Sequence, residues 1–234
     1  MTETNNNRTS NQAPTIQDYA SQVVRSARPR WERELLKSWL TTMVVPLERR
    51  KARAILRSRN QARLHLGCAS NYLDGWTNID LFRPGRRLDL RWDLRRGIPA
   101  PDDCAESILA EHLLEHIDLG GGIGLLKECY RVLRSGGVLR IGVPDLERYV
   151  RSYLCDDPLI DRVRPGRPTR GIAFCEPFFW HGHRSMYDFE TLELLLREAG
   201  FLTVERSESG KGRILPSPDS PNREQETLYV EAVK

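Results

Sequence analysis

Residues 111–117 read EHLLEHI, and within them His112, Glu115 and His116 follow the spacing H-x-x-E-H. On a continuous helix, imidazoles at i and i+4 share one face with a carboxylate beside them, which is the donor set of a zinc hydrolase. The same letters end an apolar run, AESILAEH, and a strand there would deliver Glu111 and His112 to a ligand cleft. Polar residues recur in that kind of place. ARLHLG enters Gly67-Cys68-Ala69-Ser70-Asn71, a small-residue turn that lets backbone N–H groups approach a ligand. Asp80 ends WTNID, where a carboxylate can accept both hydroxyls of a ribose. Asp93 follows LDLRW, placed to accept from an exocyclic amine or to cap a turn. Further on, FFWHGHRSMYD (178–188) offers His181 and His183 as general bases, since imidazole titrates near pH ~6.5, with Tyr187 to orient a substrate. A packed aromatic turn is the alternative for that cluster.

The elements that must position these residues follow from periodicity. Apolar runs at 62–67, 76–81, 88–94, 105–112 and 138–144 predict strands, and FLTVERS and TLYVEAVK add two more. IGLLKECYRVLRS (123–135) and DFETLELLLREAG (188–200) have helical spacing, the second with Asp188 as N-cap and Gly200 as stop. DLGGGIG (118–124) reads as a break between His116 and the first of those helices. Strands alternating with helices predict a Rossmann-like α/β fold, a mainly parallel seven-stranded sheet covered on both faces, with the last two strands forming an antiparallel edge. Ligands in such sheets sit beyond the carboxyl ends of the strands.

The N-terminal third differs from the rest. Residues 1–63 hold 13 Lys+Arg against 5 Asp+Glu, net +8, whereas residues 64–234 hold 23 against 27, net −4. Residues 1–14 are Asn-rich and expected to be disordered. Residues 15–61 are expected to form a basic helical extension: one helix over 29–45 with Trp31, Leu35, Leu36, Trp39, Leu40 and Met43 on a stripe, ended or kinked at Pro46, and a second helix over 47–59. Its basic face suits an anionic partner or is a solvated face docked on the domain, and residues 62–234 form the sheet domain. The five cysteines are scattered without a C-x-x-C, which argues against a disulfide framework or zinc ribbon. The most apolar stretch, Trp39–Leu47, is far short of a membrane span, and no signal-peptide pattern opens the chain, so a cytoplasmic protein is expected.

The order LHLGCAS…GWTNID…WDLRRGIPAPDDCAESILAEHLLEHI…LLKECYRVLRSGGVLRIGVPDLERY resembles class I S-adenosylmethionine-dependent methyltransferases, in particular a bacterial subgroup with a shortened first crossover. The tail, HRSMYDFETLELLLREAGF…ETLYVEAVK, resembles the same subgroup. The resemblance implies S-adenosyl-L-methionine as cofactor. Gly67, Cys68 and Ala69 would face its methionine part, Asp80 with Leu81 its ribose, and Asp93 and Leu94 its adenine. Glu111 and His112 would stand where the methionine end meets the acceptor. Two departures stand out: the first strand carries His65 where the family commonly has an acid, and Ala69 and Asn71 replace glycines. The 13 positions from Gly67 to Asp80 are short for a helical crossover and predict a single helical turn or a tight loop.

The zinc reading through His112, Glu115 and His116 requires a continuous helix and a further carboxylate, for which Glu190 and Glu193 stand downstream. Strand-like flanks favour the methyltransferase reading, with no metal. The expected reaction is methyl transfer to O or N of a small molecule such as a saccharide or secondary metabolite. His112, His183, His181 and Tyr187 are the residues proposed around the acceptor. The alternatives are an RNA or protein methyltransferase using the basic arm, a non-catalytic scaffold of the same fold, and the zinc hydrolase. The Pro- and Arg-rich segment 157–174 is expected to be a mobile insertion near the site, whose arginines either clamp an anionic acceptor or keep a loop soluble.

Overall fold

The computed structural model describes residue 17 and residues 30–57, 62–81, 87–155, 157–179 and 182–234. Helix α1 spans Arg30–Arg57, and strands β1 (Ala62–Leu66), β2 (Thr77–Asp80), β3 (Leu90–Arg91) and β4 (Ala105–Glu111) follow. Helix α2 (Leu119–Val132) leads directly into β5 (Leu133–Pro144). Three shorter helices come next: α3 (Leu146–Leu154), α4 (Leu159–Val163) and α5 (Arg170–Phe179). Helix α6 (Phe189–Ala199), β6 (Thr203–Ser207) and β7 (Thr227–Val233) complete the chain. The seven strands form one sheet in the order β3-β2-β1-β4-β5-β7-β6. The first five run parallel, and β7 runs antiparallel to both β5 and β6. The expected antiparallel pairing of the last two strands is present, and the antiparallel strand itself lies one place in from the edge. The predicted Rossmann-like α/β sheet therefore forms.

One face of the central strands is apolar and packs in the main core: β1 buries Leu64 and Leu66, β4 buries Ile108 and Ala110, and β5 buries Leu139, Ile141 and Val143. The other face is also buried but carries His65, Ser107, Glu111 and Arg140 beside Leu109. α2 and α6 pack on each other through Leu125, Cys129, Leu192 and Leu196 in the main core.

Three sequence expectations are corrected here. α1 is one helix of 28 residues with Pro46 inside it, not two helices broken at Pro46. Its second half docks on the sheet edge: Ala52 and Leu56 join the core, and Glu48 accepts the backbone N–H of Arg91 in β3. Of its predicted apolar stripe, Trp39 and Met43 are exposed; the side chains at 31, 35, 36 and 40 lie outside the described residues. The arginines at 49, 50 and 53 are exposed, so the basic face is solvated. Second, the break after His116 is confined to Ile117 and Asp118, which are extended, and the glycines of DLGGGIG lie inside α2. Asp118 caps α2 by accepting from the N–H of Gly121, and the glycines form its first turns. A Cβ at Gly121 would come within 2.7 Å of the Ile117 side chain, so close packing explains the glycine. Third, the Arg-rich segment is packed rather than a free clamp. Arg164 pairs with Glu226 and Glu176, Arg167 grips Glu176 with two nitrogens, and Arg170 pairs with Asp161.

The first crossover is a loop of turns without a helix, as its length predicts. A parallel connection without a helix leaves a strip of sheet face uncovered. Trp76 from that loop, Leu109 of β4 and Ile214 from the long β6–β7 connection bury one another there, so the C-terminal loop covers what a crossover helix would otherwise cover.

No disulfide joins the described cysteines, and Cys68 and Cys129 are buried. No described helix is long and apolar enough to cross a membrane.

Candidate functional site

β1 leads outward to β2 and β3, and the chain then returns to place β4 on the other side of β1. The strand order reverses between β1 and β4, and a crevice must open beyond their carboxyl ends. A cavity of about 520 Å³ lies there. Its floor is the turn Gly67–Asn71 after β1, with His65 beneath, and Glu111 and His112 at the end of β4. Its roof is Ser217–Arg223 of the β6–β7 loop.

Each part of this wall is held by a specific bond. Gly67 has φ 66 and Ala69 φ 47, so the turn is left-handed at two places, one of them a residue with a Cβ. Asp80 stabilises it: its carboxylate accepts the N–H of Ala69 at 2.8 Å and that of Leu81 at 2.7 Å. Glu111 fastens the roof. Its oxygens accept the Ser220 N–H at 3.0 Å, the Ser220 hydroxyl, and the Tyr229 hydroxyl at 2.8 Å. Burial, and next the Glu111 charge, pushes the Tyr229 hydroxyl far above its usual range. The roof is fixed again by Arg140, a fully buried residue of β5. It binds both oxygens of Asp219, and reaches Glu231 and the Ser207 hydroxyl at 2.9 Å each.

The structure brings Gly67, Cys68, Ala69, Glu111 and His112 to the cavity as expected. Asp80 supports it from behind. Leu81, Asp93 and Leu94 do not line it among the described residues. Asp93 instead caps the 3-10 turn Leu94–Arg96 and grips the Arg95 guanidinium at 2.8 and 2.9 Å, which is the turn-cap role. Tyr187 is corrected: it is 1% exposed within the main core, with its hydroxyl against Gly122, so it orients nothing in the cavity. His183 lies beside Glu115 rather than in the cavity wall, and His181 lies outside the described residues. Sequence reasoning missed the roof. Nothing in SPDSPNR signals a ligand, and only its pairing with Glu111 and Arg140 reveals its place.

Comparison with known proteins gives fold-level likeness. No family model matches the sequence, and no curated protein does. Solved structures do. A SAM-dependent methyltransferase from Archaeoglobus fulgidus is 16% identical, over 85% of this chain and 94% of that one, at a TM-score of 0.48. A SAM-dependent methyltransferase from Thermotoga maritima is 17% identical over 88% and 97%, at 0.43. An O-methyltransferase family protein from Burkholderia thailandensis is 12% identical over 91% and 62%, at 0.45. These scores lie below 0.5, so the fold rests on the strand order and register of this chain itself. That sheet is the predicted Rossmann-like one, with five parallel strands and an antiparallel strand between β5 and β6.

The residue that stands where the resembled family commonly has an acid has a definite state. His65 is 2% exposed, and its Nδ1 lies 3.1 Å from Asn78 Oδ1. That oxygen can only accept, so His65 Nδ1 carries the proton and Nε2 the lone pair. Burial holds the ring below its ordinary value of 6.5. A neutral acceptor thus stands where the family has a charge. A histidine with a lowered folded pKa stabilises the fold fully above the unfolded value of 6.5, and that stability is lost as pH falls from there toward the folded value. Urea unfolding at about pH 7.5 and about pH 5.5 should show wild type losing up to about 1 kcal/mol more than His65→Gln. Equal losses would show that His65 is not the titrating group.

His112 is held in the left-handed region, φ 50, by its N–H bond to the Gly142 carbonyl. Its Nε2 lies 2.8 Å from Thr227 Oγ1, whose own hydrogen goes to the Arg223 carbonyl at 2.7 Å. His112 Nε2 must therefore donate. Its Nδ1 lies 3.3 Å from Glu115 Oε1. Both ring nitrogens are turned to protein partners.

Proposed function

We propose that this chain transfers a methyl group from S-adenosylmethionine to an oxygen or nitrogen of a small-molecule acceptor. The observation that carries the reading is the cavity at the reversal of strand order, between the turn after β1 and the end of β4. Its volume of about 520 Å³ lies within the range of cofactor pockets, roughly 300–1,000 Å³. Its donor set fits the cofactor as well. Arg223 supplies a cation at the roof for the amino-acid carboxylate. His65 Nε2 can accept from the ammonium in place of the family's acid.

When bound, the cofactor supplies a methyl group activated on a sulfonium, open to direct displacement. The protein's part is positioning and exclusion of water. Asp80 fixes the turn that approaches the cofactor, and Glu111 and Arg140 hold the roof that shields it. With both nitrogens of His112 turned to Thr227 and Glu115, the geometry supports positioning by this residue rather than proton abstraction.

Calorimetric titration with S-adenosylmethionine and S-adenosylhomocysteine tests the reading. Wild type should bind in the micromolar range, and Asp80→Ala should weaken binding about tenfold or more, about 1.4 kcal/mol. A folded wild type that binds neither ligand would leave a scaffold of methyltransferase fold.

A further inference from the structure

Glu115 is a buried carboxylate that the methyl-transfer reading does not use. Its side chain is 0% exposed, and neither oxygen has a hydrogen-bond donor. Leaving a buried carboxylate in that state is costly unless a cation meets it. Burial pushes its carboxyl up, and His112, His116 and His183 together outweigh that and hold it below the usual range.

Imidazoles surround it. His183 Nε2 lies 3.9 Å from Glu115 Oε1, with its Nδ1 bonded to the Pro177 carbonyl. His112 Nδ1 lies 3.3 Å from the same oxygen. The His116 ring stands edge-on to His183, with centroids 4.7 Å apart. One ligand atom each from Glu115, His116 and His183 lie within 4.8 Å of one another. Two chain segments are locked together for this, because the N–H groups of Arg184 and Ser185 both donate to the Glu115 carbonyl. The hydrolase pattern read from the sequence is not what forms. Leu114–His116 is a 3-10 turn, so His112 and His116 do not share a helix face, and His183 enters from 67 positions beyond His116.

We infer that Glu115, His116 and His183 form a binding site for a divalent metal ion of the zinc class. Two imidazoles and one carboxylate suit such an ion, with a further position left for water. Ideal zinc ligands stand about 3.3 Å apart, given bonds of about 2.0–2.1 Å. The cluster must contract slightly, and His116 is exposed, on the side from which an ion would enter. The ion would neutralise Glu115 and pin residues 183–185 to the turn behind His112, on the wall of the cavity. The site does not depend on the methyl-transfer reading.

The test is calorimetric titration of chelator-stripped full-length protein with Zn²⁺, with Co²⁺ absorption as a spectroscopic readout. Wild type should bind one equivalent, and Glu115→Gln, His183→Ala and His116→Ala should each weaken binding by at least about tenfold. Because His116 is exposed, His116→Ala should leave the circular dichroism spectrum unchanged, which keeps the test valid if the buried variants misfold. Co²⁺ should give the visible bands of a low-coordinate nitrogen–oxygen site, lost in His116→Ala. A folded wild type without stoichiometric binding, or binding that survives His116→Ala, would overturn the inference.

Discussion

Replacing Arg140 with methionine should cost about 3–5 kcal/mol of unfolding free energy in urea, the loss expected when one member of a buried ion cluster is removed. The side chain is 1% exposed, and its partners Asp219 and Glu231 are 3% and 4% exposed. Methionine fills much of the volume but leaves two carboxylates in the interior without their guanidinium. The loss also reaches the cavity, because Asp219 belongs to its roof. Arg140→Met should therefore weaken S-adenosylmethionine as well as the fold. A double-mutant cycle with Asp219→Asn isolates the pair: coupling of about 0.5–3 kcal/mol is expected, and additive losses would show that the two do not act together.

Glu111→Ala should lower stability by about 2–3 kcal/mol and cofactor affinity by about tenfold or more. One carboxylate satisfies three donors: the Ser220 N–H, the Ser220 hydroxyl and the buried Tyr229 hydroxyl. Removing it strands those donors and unfastens the roof from the end of β4. Glu111→Gln should fall between, since the Ser220 hydroxyl can turn to accept from the new amide while the remaining oxygen keeps two donors. Urea unfolding and calorimetry on the same preparations check both numbers. An unchanged affinity in Glu111→Ala would show that the roof does not contribute to the site.

The part of this protein legible in the letters was the part encoded by local periodicity. Short apolar runs separated by amphipathic stretches marked seven strands and the two helices α2 and α6, because strands and helices that pack in one core bury side chains with periods of 2 and 3.6. The residues at strand ends, Gly67–Ala69, Glu111 and His112, were legible for the same reason: a parallel sheet puts ligands at its carboxyl ends. Local rules misled where packing overrode them. Pro46 sits inside a helix that docking on β3 holds, and the glycines that open α2 include Gly121, where Ile117 approaches too closely for a side chain.

What only the tertiary structure decided depends on contacts between distant segments. Glu111 meets Ser220 across 109 positions, and Arg140 meets Asp219 across 79. No periodicity records such pairs. Asp93 and Tyr187 show the converse: residue types suited to chemistry were used for a turn cap and for core packing. EHLLEHI holds both lessons. The sequence by itself placed Glu111 and His112 at the end of a strand. Only the fold turned Glu115 inward, away from water, and brought His183 to meet it.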